Sequence, residues 1–301
     1  MLGRRQIREK VVETLYSYYQ NPMKFDILEK NMLTEIDKIY HLYVYELNFL
    51  VTLKDVAEQQ IEIGKNKHLK TNENENPNPK FVENRILKKL EENEERIAFT
   101  SKHKELQWNL HDDLLVKTFQ RMIAGKRYQD YMASAEQSFE EDQKFIGKLF
   151  LRYIAENDDF QDFLEEKELS WTGDFHIANS LVQKTIGFLK EDEPSNTLIK
   201  IFKDGEDRDF ARKLLQESLN HLEETEKKVE ERLVNWELDR IATIDKIILI
   251  AALSELDYFP LTPSRVIINE YIEISKVFST EKANIFVNGI LDKYIRDINR
   301  I

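Results

Sequence analysis

Ile7, Val11, Leu15 and Tyr18 recur at helical spacing near the start of the chain. The spacing predicts a helix from about Arg4 to Tyr19, closed by Asn21 and Pro22. A second helical stretch, rich in aromatics (Tyr40, Tyr43, Tyr45, Phe49), runs from about Met32 to Ile63. It ends where Gly64 leads into Thr71–Pro79, a segment with no apolar residue and two prolines, which predicts a solvated linker near 64–80. From Phe81 to Phe139 the pattern is long, charged and helical, marked by Leu87, Leu90, Ile97, Leu106, Leu110, Leu114 and Phe119, and two or three helices are expected. Segments 145–189 and 210–256 align weakly at an offset of 65 residues, pairing Phe145 with Phe210, Leu149 with Leu214 and Trp171 with Trp236. A repeated hairpin and two unrelated amphipathic pairs account for this equally well.

The last hundred residues carry the clearest signals. Asp239 to Leu256 is apolar nearly all round (Ile241, Ile244, Ile247, Ile248, Ala251, Ala252), as in a helix at the centre of a bundle. Thr262-Pro263 gives a cap followed by proline at the first helical position, and Thr280-Glu281 gives a cap with an acid in the first turn. These helices are expected to run to about Phe278 and Ile298. Gly289 falls inside the last one at a cost of about 1 kcal/mol relative to alanine, so a close neighbouring backbone is expected there.

Composition narrows the class to all-α. Only 8 Gly and 6 Pro occur in 301 residues, under half the roughly 12% of average usage, which argues against a sheet rich in turns. With 41% of positions apolar there is material for a substantial core. The absence of cysteine removes disulfides, thiolate catalysis and sulfur-ligated metals, and fits a reducing, cytoplasmic setting. No apolar run approaches a membrane span, and no signal-like segment follows Met1, so neither a membrane nor standard secretion is expected.

The net charge of −12 hides an uneven distribution. Residues 1–12 carry +3 and residues 13–24 cancel, whereas 25–238 carry −14 and 239–301 only −1. A short basic head therefore joins a near-neutral tail through an acidic middle. Within the head, Arg5, Arg8 and Tyr16 share one helical stripe, with Arg4 alongside. Guanidiniums suit phosphates, and an aromatic on the same face offers an unpaired base a surface to stack on.

Enzyme chemistry finds no support in the pattern. The six histidines are scattered, and Glu217 with His221 is the nearest metal-like spacing, too few ligands for a site. No Gly-rich phosphate loop and no nucleophile elbow occurs. No catalytic residue, cofactor or metal is expected.

Several segments together carry a family resemblance. They are 235–256 (NWELDRIATIDKIILIAALSEL), 263–270 (PSRVIINE), 276–278 (KVF) and 286–292 (FVNGILD), with Arg4-Arg5, Arg8-Glu9 and Leu15-Tyr16 at the head and 210–215 (FARKLL). Collectively they resemble the NusB transcription antitermination family. The resemblance implies an all-α NusB-like bundle built from 1–20 and 205–301, with 21–204 as a long acidic helical insertion after the first helix. It further implies a non-catalytic RNA-binding protein that pairs with NusE, a small-subunit ribosomal protein. The pair would bind boxA-type single-stranded RNA of nascent ribosomal RNA transcripts within the transcription elongation complex.

Carried over residue by residue, the resemblance assigns RNA contacts to Arg4, Arg5, Arg8, Tyr16, Lys282 and Phe286. It assigns NusE contact to Asp245 and Lys246. Asn269, Glu270 and Asn288 are expected to make helix-to-helix hydrogen bonds, because a buried unpaired amide costs about 1–3 kcal/mol. Two departures from the family pattern stand out: Ile250 where relatives commonly have an arginine that could reach RNA, and Ser254 where they have tyrosine. A helical protein-interaction scaffold with weak or no RNA affinity is the alternative.

Overall fold

The computed structural model describes residues 1–66, 76–110, 112–202, 205–233 and 241–298. Among these residues there are fourteen α-helices and no strand, as the all-α reading requires. In chain order they are α1 (Arg4–Gln20), α2 (Phe25–Lys65), α3 (Arg85–Glu91), α4 (Glu94–Lys102), α5 (Asp113–Ala124), α6 (Lys126–Ala133) and α7 (Phe139–Phe150). Then follow α8 (Asp158–Lys167), α9 (Phe175–Phe188), α10 (Gly205–Asn220), α11 (Leu222–Glu230), α12 (Thr243–Tyr258), α13 (Ser264–Phe278) and α14 (Ala283–Asp297). None is long and apolar enough to cross a membrane. The chain divides into two compact units, one of residues 1–36 and 201–301, the other of residues 37–200. The division falls within α2.

In the first unit α12 is the central element. Ile247 to Leu253 are all wholly buried, and α12 packs on α1, α10, α11, α13 and α14. Such a helix has no solvent face, which is why its sequence shows so little amphipathic contrast. Against it α1 buries Ile7, Val11, Val12 and Leu15. That helix starts at Gly3, whose N–H donates to Gln6 Oε1 at 2.9 Å, and stops at Asn21 because Pro22 has no N–H to continue the ladder. α10 contributes Phe210, Ala211, Leu214 and Leu215, while α13 and α14 contribute Ile267, Tyr271, Ile274, Val287 and Leu291.

The second unit is built around aromatic side chains from its part of α2. Tyr45 stacks on Trp108 with centroids 4.3 Å apart, and Phe49 meets Trp108 edge-on at 4.7 Å and Phe160 at 5.0 Å. Asn48 sits among them fully engaged: its amide donates to Thr100 Oγ1 and the Leu106 carbonyl, and its oxygen accepts from Arg96. Glu46 is also buried, but its Oε2 has no hydrogen-bond partner among the described residues.

Several expectations need correction. Four helices, α3 to α6, occupy the stretch where two or three were expected. Asn84 and Asn93 cap the backbone by accepting from Ile86, Leu87 and Arg96 N–H groups, which splits one periodic run into short helices. The downstream end of the expected linker is anchored, with Phe81 buried and Lys80 Nζ donating to the Ser134 and Glu136 carbonyls. Residues 67–75 lie outside the described residues, as do Trp236 of the proposed repeat, Asp239 at the expected start of the central helix, and His68 and His111. Pro263 takes the capping position of α13 in place of Thr262, and α14 begins at Ala283, after a turn closed by the Ala283 N–H on the Thr280 carbonyl. Gly289 has no close neighbour: a Cβ there would meet nothing within 4 Å.

Candidate nucleic-acid interface

The basic head lies at the start of α1, where its three arginines fall within about one helical turn and meet different neighbours. Arg4 places Nε 2.8 Å from Asp207 on α10, with its guanidinium 4.3 Å from the Phe210 ring centre. Arg5 forms a two-pronged pair with Glu270 on α13, both distances 3.0 Å. Their side chains are 43% and 39% exposed, so both reach solvent while paired. The hydrogen bond to Glu270 is the largest influence on the Arg5 guanidinium and raises its pKa.

Arg8 is different in kind. Its side chain is 3% exposed, and it donates from Nε at 2.7 Å and from Nη2 at 2.5 Å to the two oxygens of Glu255, which is wholly buried on α12. Glu270 lies 3.8 Å from its remaining Nη1. Burial pulls the Arg8 pKa down, but the hydrogen bond and charge of Glu255 more than offset it, and the net shift is upward. Arg8 thus faces inward, tying α1 to α12 and α13, where the sequence had suggested a phosphate contact.

Beside Arg4 and Arg5 opens a groove of about 940 Å³ whose wall includes Phe210, Lys213, Tyr258 and Phe259. Lys213 Nζ sits 4.9 Å over the Phe259 ring and donates to the Tyr258 carbonyl at 3.2 Å. Phe259 meets Phe210 edge-on at 5.2 Å. Cations and aromatic rings on one concave face are what single-stranded nucleic acid requires. Sequence reasoning missed Lys213, Tyr258 and Phe259. The Phe210–Lys213 spacing within one helical turn was a readable signal for the lysine; nothing local marks the loop residues.

The other predicted contacts lie apart from this groove. Tyr16 is exposed at the far end of α1, roughly 16 Å along the axis from Arg5 at 1.5 Å per residue. There it lines a second recess of about 510 Å³ with Glu13, Ile244 and Phe278. Lys282 is exposed and Phe286 half-buried at the start of α14, and neither lines either recess. Asp245 is buried in the first turn of α12, with Oδ1 unpartnered among the described residues. Lys246 pairs with Glu226 at 3.2 Å and covers the Tyr19 ring at 4.7 Å.

Of the three polar residues expected to bond between helices, Glu270 does so through Arg5. Asn269 does not: it points outward on α13 and is exposed. Asn288 is half-buried, with no hydrogen bond among the described residues. Ile250 is wholly buried in α12, so in this chain its position faces the core and an isoleucine there withdraws no exposed cation. Ser254, also wholly buried, has an unpartnered hydroxyl among the described residues.

These features define an all-helical bundle whose first, basic helix is clamped to three later helices by guanidinium–carboxylate pairs and flanked by a groove lined by cations, carboxylates and aromatic rings. Comparison with known proteins gives the family. The NusB family pattern matches residues 176–296, beginning within α9. A "Transcription antitermination protein NusB" from Methylacidiphilum infernorum is 42% identical over 97 residues, 32% of this chain and 68% of the relative. One from Exiguobacterium sp. is 36% identical over 119 residues, 39% of this chain and 90% of the relative. One from Salinibacter ruber is 39% identical over 101 residues, covering 34% and 63%. No solved structure matches. The chain belongs to the NusB family, and it is longer than these relatives.

Proposed function

We propose that the protein is a transcription antitermination factor that, together with NusE, binds boxA-type single-stranded RNA of nascent ribosomal RNA transcripts. It acts as a cytoplasmic, non-catalytic adaptor in the transcription elongation complex. The observation that carries this reading is the groove in which Arg4, Arg5 and Lys213 share one face with Phe210 and Phe259. Arg4 commits only Nε to Asp207 among the described residues, so its terminal N–H groups are available to a phosphate. Arg5 keeps one terminal nitrogen outside its pair with Glu270. Arg8 serves as the buried prop that fixes the helix carrying them. Tyr16, Lys282 and Phe286 offer further contacts for a longer RNA, and the Asp245–Lys246 start of α12 is the face assigned to NusE.

The test is fluorescence anisotropy of a short boxA-like RNA, with and without NusE, at two salt concentrations. Affinity is expected to rise with NusE and to fall with salt. Each of Arg4→Ala, Arg5→Ala and Lys213→Ala is expected to flatten the salt slope by about 0.7, the value for one phosphate contact on a single strand. Unchanged affinity and slope in all three variants would sink the assignment of this groove. One observation favours a second reading, a protein-interaction scaffold without RNA affinity: all three head arginines already meet carboxylates. NusE captured by a protein that ignores RNA in every arm of the titration is the result that selects it.

A further inference from the structure

Three potential metal ligands converge in the unit of residues 37–200. His41 on α2, His103 at the C-terminal cap of α4 and Glu105 in the single turn Lys104–Leu106 that follows offer Nε2, Nδ1 and a carboxylate oxygen, all within 4.8 Å of one another. His41 Nε2 and His103 Nδ1 are 3.2 Å apart, and His103 Nδ1 and Glu105 Oε1 are likewise 3.2 Å apart. Two ligands of a tetrahedral zinc ion stand roughly 3.3 Å from each other, since the edge of a tetrahedron is about 1.63 times a bond of about 2.0–2.1 Å. The two observed separations are of that size. The third is closed by a turn of the exposed Glu105 side chain about its contact with His103.

The orientation of the rings supports the same conclusion. His41 Nδ1 lies 2.9 Å from the Asp37 carbonyl, which can only accept, so Nδ1 carries the proton and the Nε2 lone pair faces His103. A backbone carbonyl holding the far nitrogen of an imidazole is the usual outer support of a histidine ligand. Phe99 packs against both imidazoles, with centroids 5.2 Å from His41 and 4.4 Å from His103. His103 Nδ1 faces two acceptors at once, an arrangement satisfied either by a shared proton or by a cation that displaces it.

We infer that His41, His103 and Glu105 form a binding site for a divalent transition ion of the zinc type, with a water completing the tetrahedron. The site stands apart from the RNA reading and would bridge α2 to the α4 end across 62 residues of sequence. His221 provides the contrast. Its two nitrogens face different carboxylates, Glu217 from Nε2 at 3.6 Å and Glu224 from Nδ1 at 3.4 Å, so its ligands diverge.

The experiment uses the full chain stripped of metal by a chelator and titrated with zinc against a chromophoric indicator; cobalt(II) in a parallel titration gives the visible spectrum of a tetrahedral site. One equivalent of zinc is expected to bind and to raise the thermal midpoint. His41→Gln and His103→Gln should each weaken binding at least about 100-fold, the upper end of what loss of an outer-shell partner costs. Glu105→Gln, an exposed and isosteric change that leaves folding intact, should weaken it about tenfold, and His221→Gln should leave it unchanged. No saturable zinc binding overturns the site, as does zinc binding equal in the His41 and His103 variants, or lost in the His221 variant instead. Failure to fold in either histidine variant leaves the Glu105→Gln result to decide: unchanged affinity there also overturns it.

Discussion

Glu255 and Glu46 are both glutamates closed off from water, one in each unit, and the protein accommodates them by opposite means. Glu255 receives two N–H groups from Arg8, itself buried. Among the described residues Glu46 has no ion-pair partner and its Oε2 no hydrogen-bond partner, and burial drives its pKa well above the ordinary carboxyl value. In the first unit, then, a charge is matched by a charge. In the second, the cost of burying an acid is met by keeping its proton. The pairing fixes geometry because both oxygens and two nitrogens must align, whereas a protonated carboxyl among apolar neighbours fixes little. The first unit thus orients α1 through charged pairs, while the second combines stacked rings such as Tyr45 on Trp108 with the polar network around Asn48.

The largest break in this comparison comes from removing one member of the buried pair. Glu255→Ala or Arg8→Ala is expected to destabilise by about 3–5 kcal/mol, because the remaining ion is left buried and alone. Arg8→Met combined with Glu255→Leu should recover most of that loss, as apolar replacement of a whole buried pair commonly does. Urea unfolding of the three variants checks both statements, and a double variant no better than the singles would contradict the second.

A smaller effect is expected at Glu46 and depends on pH. Its folded pKa is raised above the unfolded value of about 4.3, so below that value both states hold the proton and stability is fully present. As pH rises from there to the folded value, the unfolded state releases its proton first and stability falls by up to about 1.4 kcal/mol per unit. Glu46→Gln should remove this dependence and unfold at higher urea than the parent at pH 8, with little difference at pH 4. Identical pH profiles for parent and variant would show that Glu46 is not the group responsible.

The smallest effect sharpens the meaning of burial. Arg5→Ala breaks a two-pronged pair of good geometry, yet with Arg5 39% exposed the expected loss is below about 1 kcal/mol. A loss as large as that of Arg8→Ala would mean that pairing geometry, and not dehydration, sets the strength of these contacts.

Sequence pattern revealed α1 and α12 because each writes its environment into its own residues: Ile7, Val11 and Leu15 at helical spacing, and an apolar run from Ile247 to Leu253. Helices were expected across α3 to α6, but the breaks that start α3 and α4 stayed hidden, since Asn84 and Asn93 act as caps only once the chain turns there and asparagine alone does not announce it. The basic head was legible as charge, but not its division into two solvent-facing arginines and one inward-facing arginine. That division depends on Asp207, Glu255 and Glu270, carboxylates more than 200 positions away whose pairing no local rule reports. Distance hid His41 and His103 in the same way. Gly289 failed for a different reason: a glycine in a helix signals a close approach only when something is there to approach.

The clamp between Arg8 and Glu255 also sets an order in time. The two residues are 247 positions apart, so at about 5–20 residues per second a ribosome needs roughly 10–50 s after making Arg8 before its carboxylate exists. The first helix made therefore waits for its clamp until α12 exists, and every residue of the 37–200 unit is synthesised while the basic head still lacks its partners.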